Sequence, residues 1–417
     1  MNYYQITGGR PLGGALVVQG AKNSVLPILA ATLLAPGECV IHNCPNLSDV
    51  NTTLEILRFL GCRVHREGGT VIIDATAPQR WDIPDQLVRE MRSSVVFLGA
   101  LLTRMGGAQL CCPGGCQLGP RPIDIHISAL RRLGAEIREE SDGLRCRAEE
   151  MSGREIFLRL PSVGATENVM LCACGCQGTT TIVGAAREPE IVDLQNFLCA
   201  MGASISGAGS SVITIEGGHP FHPVEHTVMG DRIAAATYLC AAAATKGEVT
   251  LNGVDPNHLT AVLDVLREGG CHIEAEKKAV HCTMGRSLQG VAPIHTAPYP
   301  GFPTDAQPLL LAALSAGRGN TMLVEHMFDS RYRYIDELRR MGANIQVYGR
   351  VAVVNGGKLR GCRAEGSDLR GGAALVVAAL AAQGESEVSG LQYIHRGYED
   401  LARDMERLGG TIKTRIS

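Results

Sequence analysis

The stretch from Cys111 to Asp124 reads Cys-Cys-Pro-Gly-Gly-Cys-Gln-Leu-Gly-Pro-Arg-Pro-Ile-Asp and gathers thiols, a guanidinium and a carboxylate. Three prolines and three glycines in these 14 residues speak against helix and strand, so a loop is expected. Cys116 and Arg121 stand five residues apart, and a nearby guanidinium favours the thiolate. Such a thiol could deliver a proton or attack a substrate. Taken alone, the loop fits a tight surface turn with an inert cysteine better.

Other chemistry-bearing residues sit where helices should begin. Gln19-Gly20-Ala21-Lys22-Asn23-Ser24 precedes the apolar run Val25–Leu34, which places Lys22 and Asn23 at a helix N-terminus. Backbone N–H groups and the helix dipole attract anions there, and a lysine adds a full charge. The Gly-Lys-Ser/Thr of a nucleotide-phosphate loop is absent. Arg92, Arg232 and Arg370 stand at the beginnings of apolar segments, and Arg396 lies in His395-Arg396-Gly397-Tyr398. Cations at several helix starts suit a multiply charged, phosphate-bearing acid, although each arginine taken singly reads as a surface residue. Asp305, in Phe302-Pro303-Thr304-Asp305, falls just before the apolar run Leu309–Leu314. Its position favours a helix cap, and a general base is the functional alternative.

These residues are spaced by a repeat. A helical stretch ending in Leu/Met-Gly (Gly269-Gly270 in the fourth copy) and leading to Ile or Val recurs with its glycine at 61, 134, 202, 270, 342 and 409, separations of 73, 68, 68, 72 and 67. Upstream of most copies an Ala-rich apolar helix runs into a glycine and then a β-branched strand, as at Tyr238–Ala244, Gly247 and Val249–Leu251. Each unit of about 70 residues therefore reads strand–helix–strand–helix–strand. Helices apolar nearly all round belong inside. The expected fold class is α/β, with two inside-out domains of three βαβαβ-type units, buried Ala-rich helices and outer sheets. The seam is expected near Met229-Gly230-Asp231.

At 417 residues, net charge −3 and 45% hydrophobic content, the chain can bury large cores and shows no basic stripe for nucleic acid or an anionic membrane. Its apolar runs are too short to span a bilayer, and its N-terminus lacks the pattern of a signal peptide, so a cytoplasmic protein is expected. The 15 scattered cysteines read as reduced core thiols. Cys172-x-Cys174-x-Cys176 has no second pair at zinc spacing, so no metal is expected.

The ordered set Gly20-Ala21-Lys22-Asn23, Met91-Arg92-Ser93-Ser94, Pro113-Gly114-Gly115-Cys116, Arg121-Pro122-Ile123-Asp124 and Ser162–Asn168 resembles the enolpyruvyl transferases. Arg187–Asp193, Phe302–Asp305, Asp368-Leu369-Arg370 and Arg396-Gly397-Tyr398 extend the resemblance towards the C-terminus. It implies domains of residues 22–229, carrying a lid loop at 112–122, and of 1–21 plus 230–417, with the active site between them. It also implies transfer of the enolpyruvyl group of phosphoenolpyruvate to the 3-hydroxyl of UDP-N-acetylglucosamine, with release of phosphate. That is the first committed step of peptidoglycan synthesis. No cofactor is implied, and the chain is left open between monomer and homo-oligomer.

Residue by residue, the resemblance gives Lys22, Arg121 and Arg396 to phosphoenolpyruvate, and Asn23 and Arg92 to the cleft lining. Arg121, Pro122, Ile123, Asp124 and Ile125, with Leu160, Pro161, Ser162, Val163 and Gly164, would contact the nucleotide sugar. Asp305 would take the hydroxyl proton, Met327 would add a main-chain contact, and Cys116 would protonate the methylene carbon. Arg331 and Arg370 would support the cationic site. The chain departs from the family pattern at Ala234 (usually Glu), at Ala306 and Pro308, and across Met327–Arg331. Two alternatives accompany this reading: a catalytically weak paralogue that binds the nucleotide sugar in a regulatory role, and the sister transferase acting on shikimate 3-phosphate, which lacks a lid cysteine.

Overall fold

The structure, a computed structural model, describes residues 2–111, 123–141, 143–148 and 150–416. Cys116, Arg121 and Pro122 lie outside these residues.

The chain divides into two compact units. One holds the segment up to Gln19 together with Gly230 onward, and the other lies within Gly20–Met229. The described strands form six sheets of four. Five of these sheets have a parallel pair at one edge, then an antiparallel hairpin whose second strand lies inside its first; in the sixth, Asn2–Thr7 takes the inner place. In Gly20–Met229, for example, Asp82–Ile83 runs parallel to Gly107–Leu110, which pairs antiparallel with Gly143–Ala148 and through it with Ala135–Glu140.

The repeating unit therefore carries a strand more than the strand–helix–strand–helix–strand read from the sequence. The run after each of the first five repeat glycines folds back on itself, as Arg63–Glu67 does onto Thr70–Asp74 across Gly68-Gly69. Three strands that complete the pattern come from outside the local repeat. Asn2–Thr7 fills the inner hairpin position beside Glu385–Ser389 and Thr411–Ile416. Gly13–Val17 is the parallel edge for Glu248–Asn252, and Glu225–Thr227 does the same for Glu38–His42.

Six helices carry the cores: α1 (Lys22–Ala31), α2 (Phe97–Met105), α3 (Val163–Ala173), α4 (Arg232–Thr245), α5 (Gln307–Ser315) and α6 (Leu369–Ala381). All residues of α4 and α5 are buried, which matches their lack of a polar face. In their unit α4, α5 and α6 pack pairwise, while in the other α2 packs on α3 and α1. Alanine-rich surfaces let helix axes approach, and each leucine or isoleucine removed from water adds roughly 1.5–3 kcal/mol. A second helix set is amphipathic. Thr260–Glu268 buries Val262, Leu263 and Leu266 and exposes Arg267 and Glu268.

The six repeat glycines all adopt left-handed backbone, with φ of 103, 107, 109, 101, 91 and 80° in chain order. They end the amphipathic helices and turn the chain into the hairpin, a conformation that penalises any residue with a Cβ. No helix among the described residues is long and apolar enough to cross a membrane.

Candidate active site

In the unit within Gly20–Met229, polar residues gather at the N-termini of buried helices. Lys22 is the first residue of α1, whose capping position, Ala21, has no side-chain acceptor. The ammonium pairs with buried Asp49 at 2.7 Å, on the neighbouring helix Ser48–Phe59. Asn23 is exposed, whereas Ser24 is buried and donates to Asp193. Asp193 also meets His226 Nε2 at 3.0 Å and accepts from the Met229 N–H at 3.3 Å.

Arg92 opens the short helical turn that leads into α2 and lies half-buried. Its charge, after burial, holds the His126 imidazole down at about 4. Asn168 fixes that ring: its amide donates to His126 Nδ1 at 2.8 Å and to the Val95 carbonyl at 2.9 Å. Its own oxygen accepts from Gly99 N–H at 2.8 Å. His126 is thus a neutral acceptor through Nδ1, with its proton on Nε2.

The ring packs against Gly164, where a Cβ would stand 2.9 Å from His126 Cε1, so only glycine fits. Leu160 is largely exposed, Pro161–Gly164 are half-buried, and Ser162 caps α3. Ile123 and Ile125 pack at the edge of the core, and Asp124 begins the helix Asp124–Arg132 and pairs with Arg159. Glu167 is buried beside Glu190 and Glu188, and burial followed by these two charges pushes its carboxyl up to about 8.

In the other unit the centre is Asp305. The sequence favoured a cap, but α5 begins at Gln307 with Ala306 in the capping position and no side-chain cap bond. The Asp305 carboxylate instead takes Arg331 Nη2 on Oδ1 at 2.7 Å and Arg370 Nε on Oδ2 at 3.3 Å. Both guanidiniums are buried. Arg331 also donates twice to the Thr304 carbonyl, at 3.1 and 2.7 Å. Arg370 reaches the Tyr398 hydroxyl at 3.2 Å, and that hydroxyl shares a 2.7 Å bond with Thr237. Met327 is exposed, and Arg396 is half-buried beyond the short helix Leu391–Ile394.

The structure thus joins Asp305, Arg331 and Arg370 directly. Asp49, His126, Asn168, Asp193, Thr304, Glu325 and Tyr398 were not singled out as site residues in the sequence. Asn168, Asp193, Thr304 and Tyr398 stand inside motifs quoted above, whereas Asp49 and Glu325 carry no motif. A lone carboxylate closing the apolar run Met322-Leu323-Val324 was the one signal for Glu325.

The sequence profile of EPSP synthase (3-phosphoshikimate 1-carboxyvinyltransferase) matches residues 6–405, and the chain belongs to that family. Within it, the chain is 48% identical over 413 residues to "UDP-N-acetylglucosamine 1-carboxyvinyltransferase 2" of Caldanaerobacter subterraneus subsp. tengcongensis, covering 99% of each. It is 42% identical to the protein of the same name in Bacillus subtilis, over 99% of this chain and 96% of that one. Among solved structures it is similar to the enolpyruvyl transferase NikO from Streptomyces tendae, at TM-score 0.89 and 26% identity, covering 100% and 99% of the two chains. EPSP synthase from Acinetobacter baumannii shares the fold at TM-score 0.78 and 20% identity over the full length of both.

Proposed function

We propose that the protein transfers the enolpyruvyl group of phosphoenolpyruvate to the 3-hydroxyl of UDP-N-acetylglucosamine. The observation that carries this is end-to-end similarity, at up to 48% identity, to relatives bearing that activity in their names. The site residues are consistent with it: Asp305 between Arg331 and Arg370, and Lys22 at a buried helix start.

In this reading Lys22, Arg121 and Arg396 neutralise the phosphate and carboxylate of phosphoenolpyruvate. Cys116 gives a proton to the methylene carbon while the sugar oxygen bonds to the adjacent carbon and Asp305 takes the hydroxyl proton. The tetrahedral adduct then returns a methyl proton to the Cys116 thiolate as its bond to phosphate breaks, and the C–H electron pair forms the double bond of the new enol ether. Electrons balance without oxidation, so no redox cofactor enters. Arg92, with His126 beside it, and Leu160–Gly164 hold the nucleotide sugar. Phosphoenolpyruvate and a nucleotide sugar are intracellular metabolites, which supports a cytoplasmic location.

Mass spectrometry of the sugar nucleotide after incubation with phosphoenolpyruvate tests the reading. An added enolpyruvyl group, lost in Cys116→Ala, is expected. An unmodified sugar nucleotide with wild-type protein overturns it.

A further inference from the structure

Glu325 follows the strand Asn320–Val324 and is fully buried. A carboxylate is costly there unless donors repay its lost hydration. Three do. Oε2 accepts from Thr304 Oγ1 at 3.0 Å, and Oε1 accepts from the N–H groups of Met327 at 2.8 Å and Phe328 at 3.1 Å. One side chain therefore ties together two loops: the one that ends in Asp305, and the one that presents Met327.

The grip extends on both sides. Thr304 is held through its hydroxyl by Glu325 and through its carbonyl by Arg331, so Asp305, the next residue, has little freedom. The second loop is anchored by Glu325 N–H on the Arg350 carbonyl at 2.8 Å and by His326 N–H on Thr296 Oγ1 at 2.8 Å. Because Glu325 takes the Met327 N–H, the main-chain group that Met327 can offer a ligand is its carbonyl, an acceptor.

We propose that Glu325 is a positioning residue. It sets the spacing between the Asp305 carboxylate and the Met327 carbonyl, so that the two acceptors address neighbouring donors of one acceptor sugar. This rests on the transferase reading above. An amide at 325 keeps the volume but removes the charge that strengthens both arms, and its NH2 meets Thr304 Oγ1 only by reversing that bond, which takes away the acceptor of the threonine proton.

The test is steady-state kinetics with phosphoenolpyruvate and UDP-N-acetylglucosamine on wild type, Glu325→Gln, Thr304→Val and Thr304→Ser. Glu325→Gln and Thr304→Val are expected to lower kcat at least about tenfold and raise KM for the nucleotide sugar, because small misplacement of a reacting group costs that much. KM for phosphoenolpyruvate and the melting temperature stay near wild type, and Thr304→Ser, which keeps the hydroxyl, restores kcat. Wild-type kcat in both disruptive variants overturns the proposal, as does a loss that merely tracks unfolded protein. If Glu325→Gln does not fold, half-buried Thr304→Val decides alone. An inactive wild type contradicts the transferase reading itself. Nucleotide-sugar affinity by calorimetry then judges Glu325: weakening in Thr304→Val supports it and unchanged affinity overturns it.

Discussion

Asp305 shows how a residue's neighbours decide its role. Its place before a helix suggested a cap, yet the backbone N–H groups of α5 go elsewhere and two buried guanidiniums take its carboxylate. Asp305→Asn would remove the proposed proton acceptor while keeping the shape. Its kcat should fall by about 10²-fold or more, with nucleotide-sugar binding retained, in parallel rate and calorimetric measurements; near-normal turnover would exclude Asp305 as the base. Glu167 gives a pH-dependent prediction. Its carboxyl, raised to about 8 against 4.5 in the unfolded chain, keeps a proton that unfolding releases at intermediate pH. Its contribution is therefore fully present below the unfolded value and is lost as pH rises through about 8. Glu167→Gln cannot ionise, so its melting temperature relative to wild type should climb steadily from acid to alkaline pH. A difference that does not change with pH would contradict this. At this scale the sequence revealed residue types and order, but not the pairing of Lys22 with Asp49 or of Asp305 with Arg331. Those depend on side chains 26 or more positions apart meeting in the fold.

At the scale of the element, the six repeat-glycine turns were legible because glycine's left-handed backbone leaves a fixed mark in the sequence. The extra hairpin strand was not, because a short alternating run interrupted by a tight turn, as at Gly68-Gly69, looks like one continuous strand. The turns are alike in backbone but differ in crowding. At Gly134 a Cβ would stand 2.4 Å from the Glu150 carbonyl oxygen, whereas at Gly409 the nearest atom is 3.8 Å away. Gly409→Ala should cost only the left-handed strain, about 1–2 kcal/mol, and Gly134→Ala clearly more. Urea unfolding of the two variants checks this, and equal losses would show that crowding at Gly134 relaxes freely.

For the whole molecule, the α/β class with buried apolar helices followed from composition and period, since helices without a polar face have only the interior to occupy. The use of Asn2–Thr7 and Gly13–Val17 to complete sheets made by residues more than 230 positions later is a long-range pairing that no local pattern encodes. Truncating Asn2–Thr7 would strip Thr411–Ile416 of its partner, and the truncated protein should unfold at lower urea than the full chain; an unchanged midpoint would contradict that role for the strand. The central claim concerns the reaction. Its most direct test is phosphate release from phosphoenolpyruvate, measured with UDP-N-acetylglucosamine and, separately, with shikimate 3-phosphate. The account predicts release with the nucleotide sugar alone; release with shikimate 3-phosphate, or with neither acceptor, would contradict it.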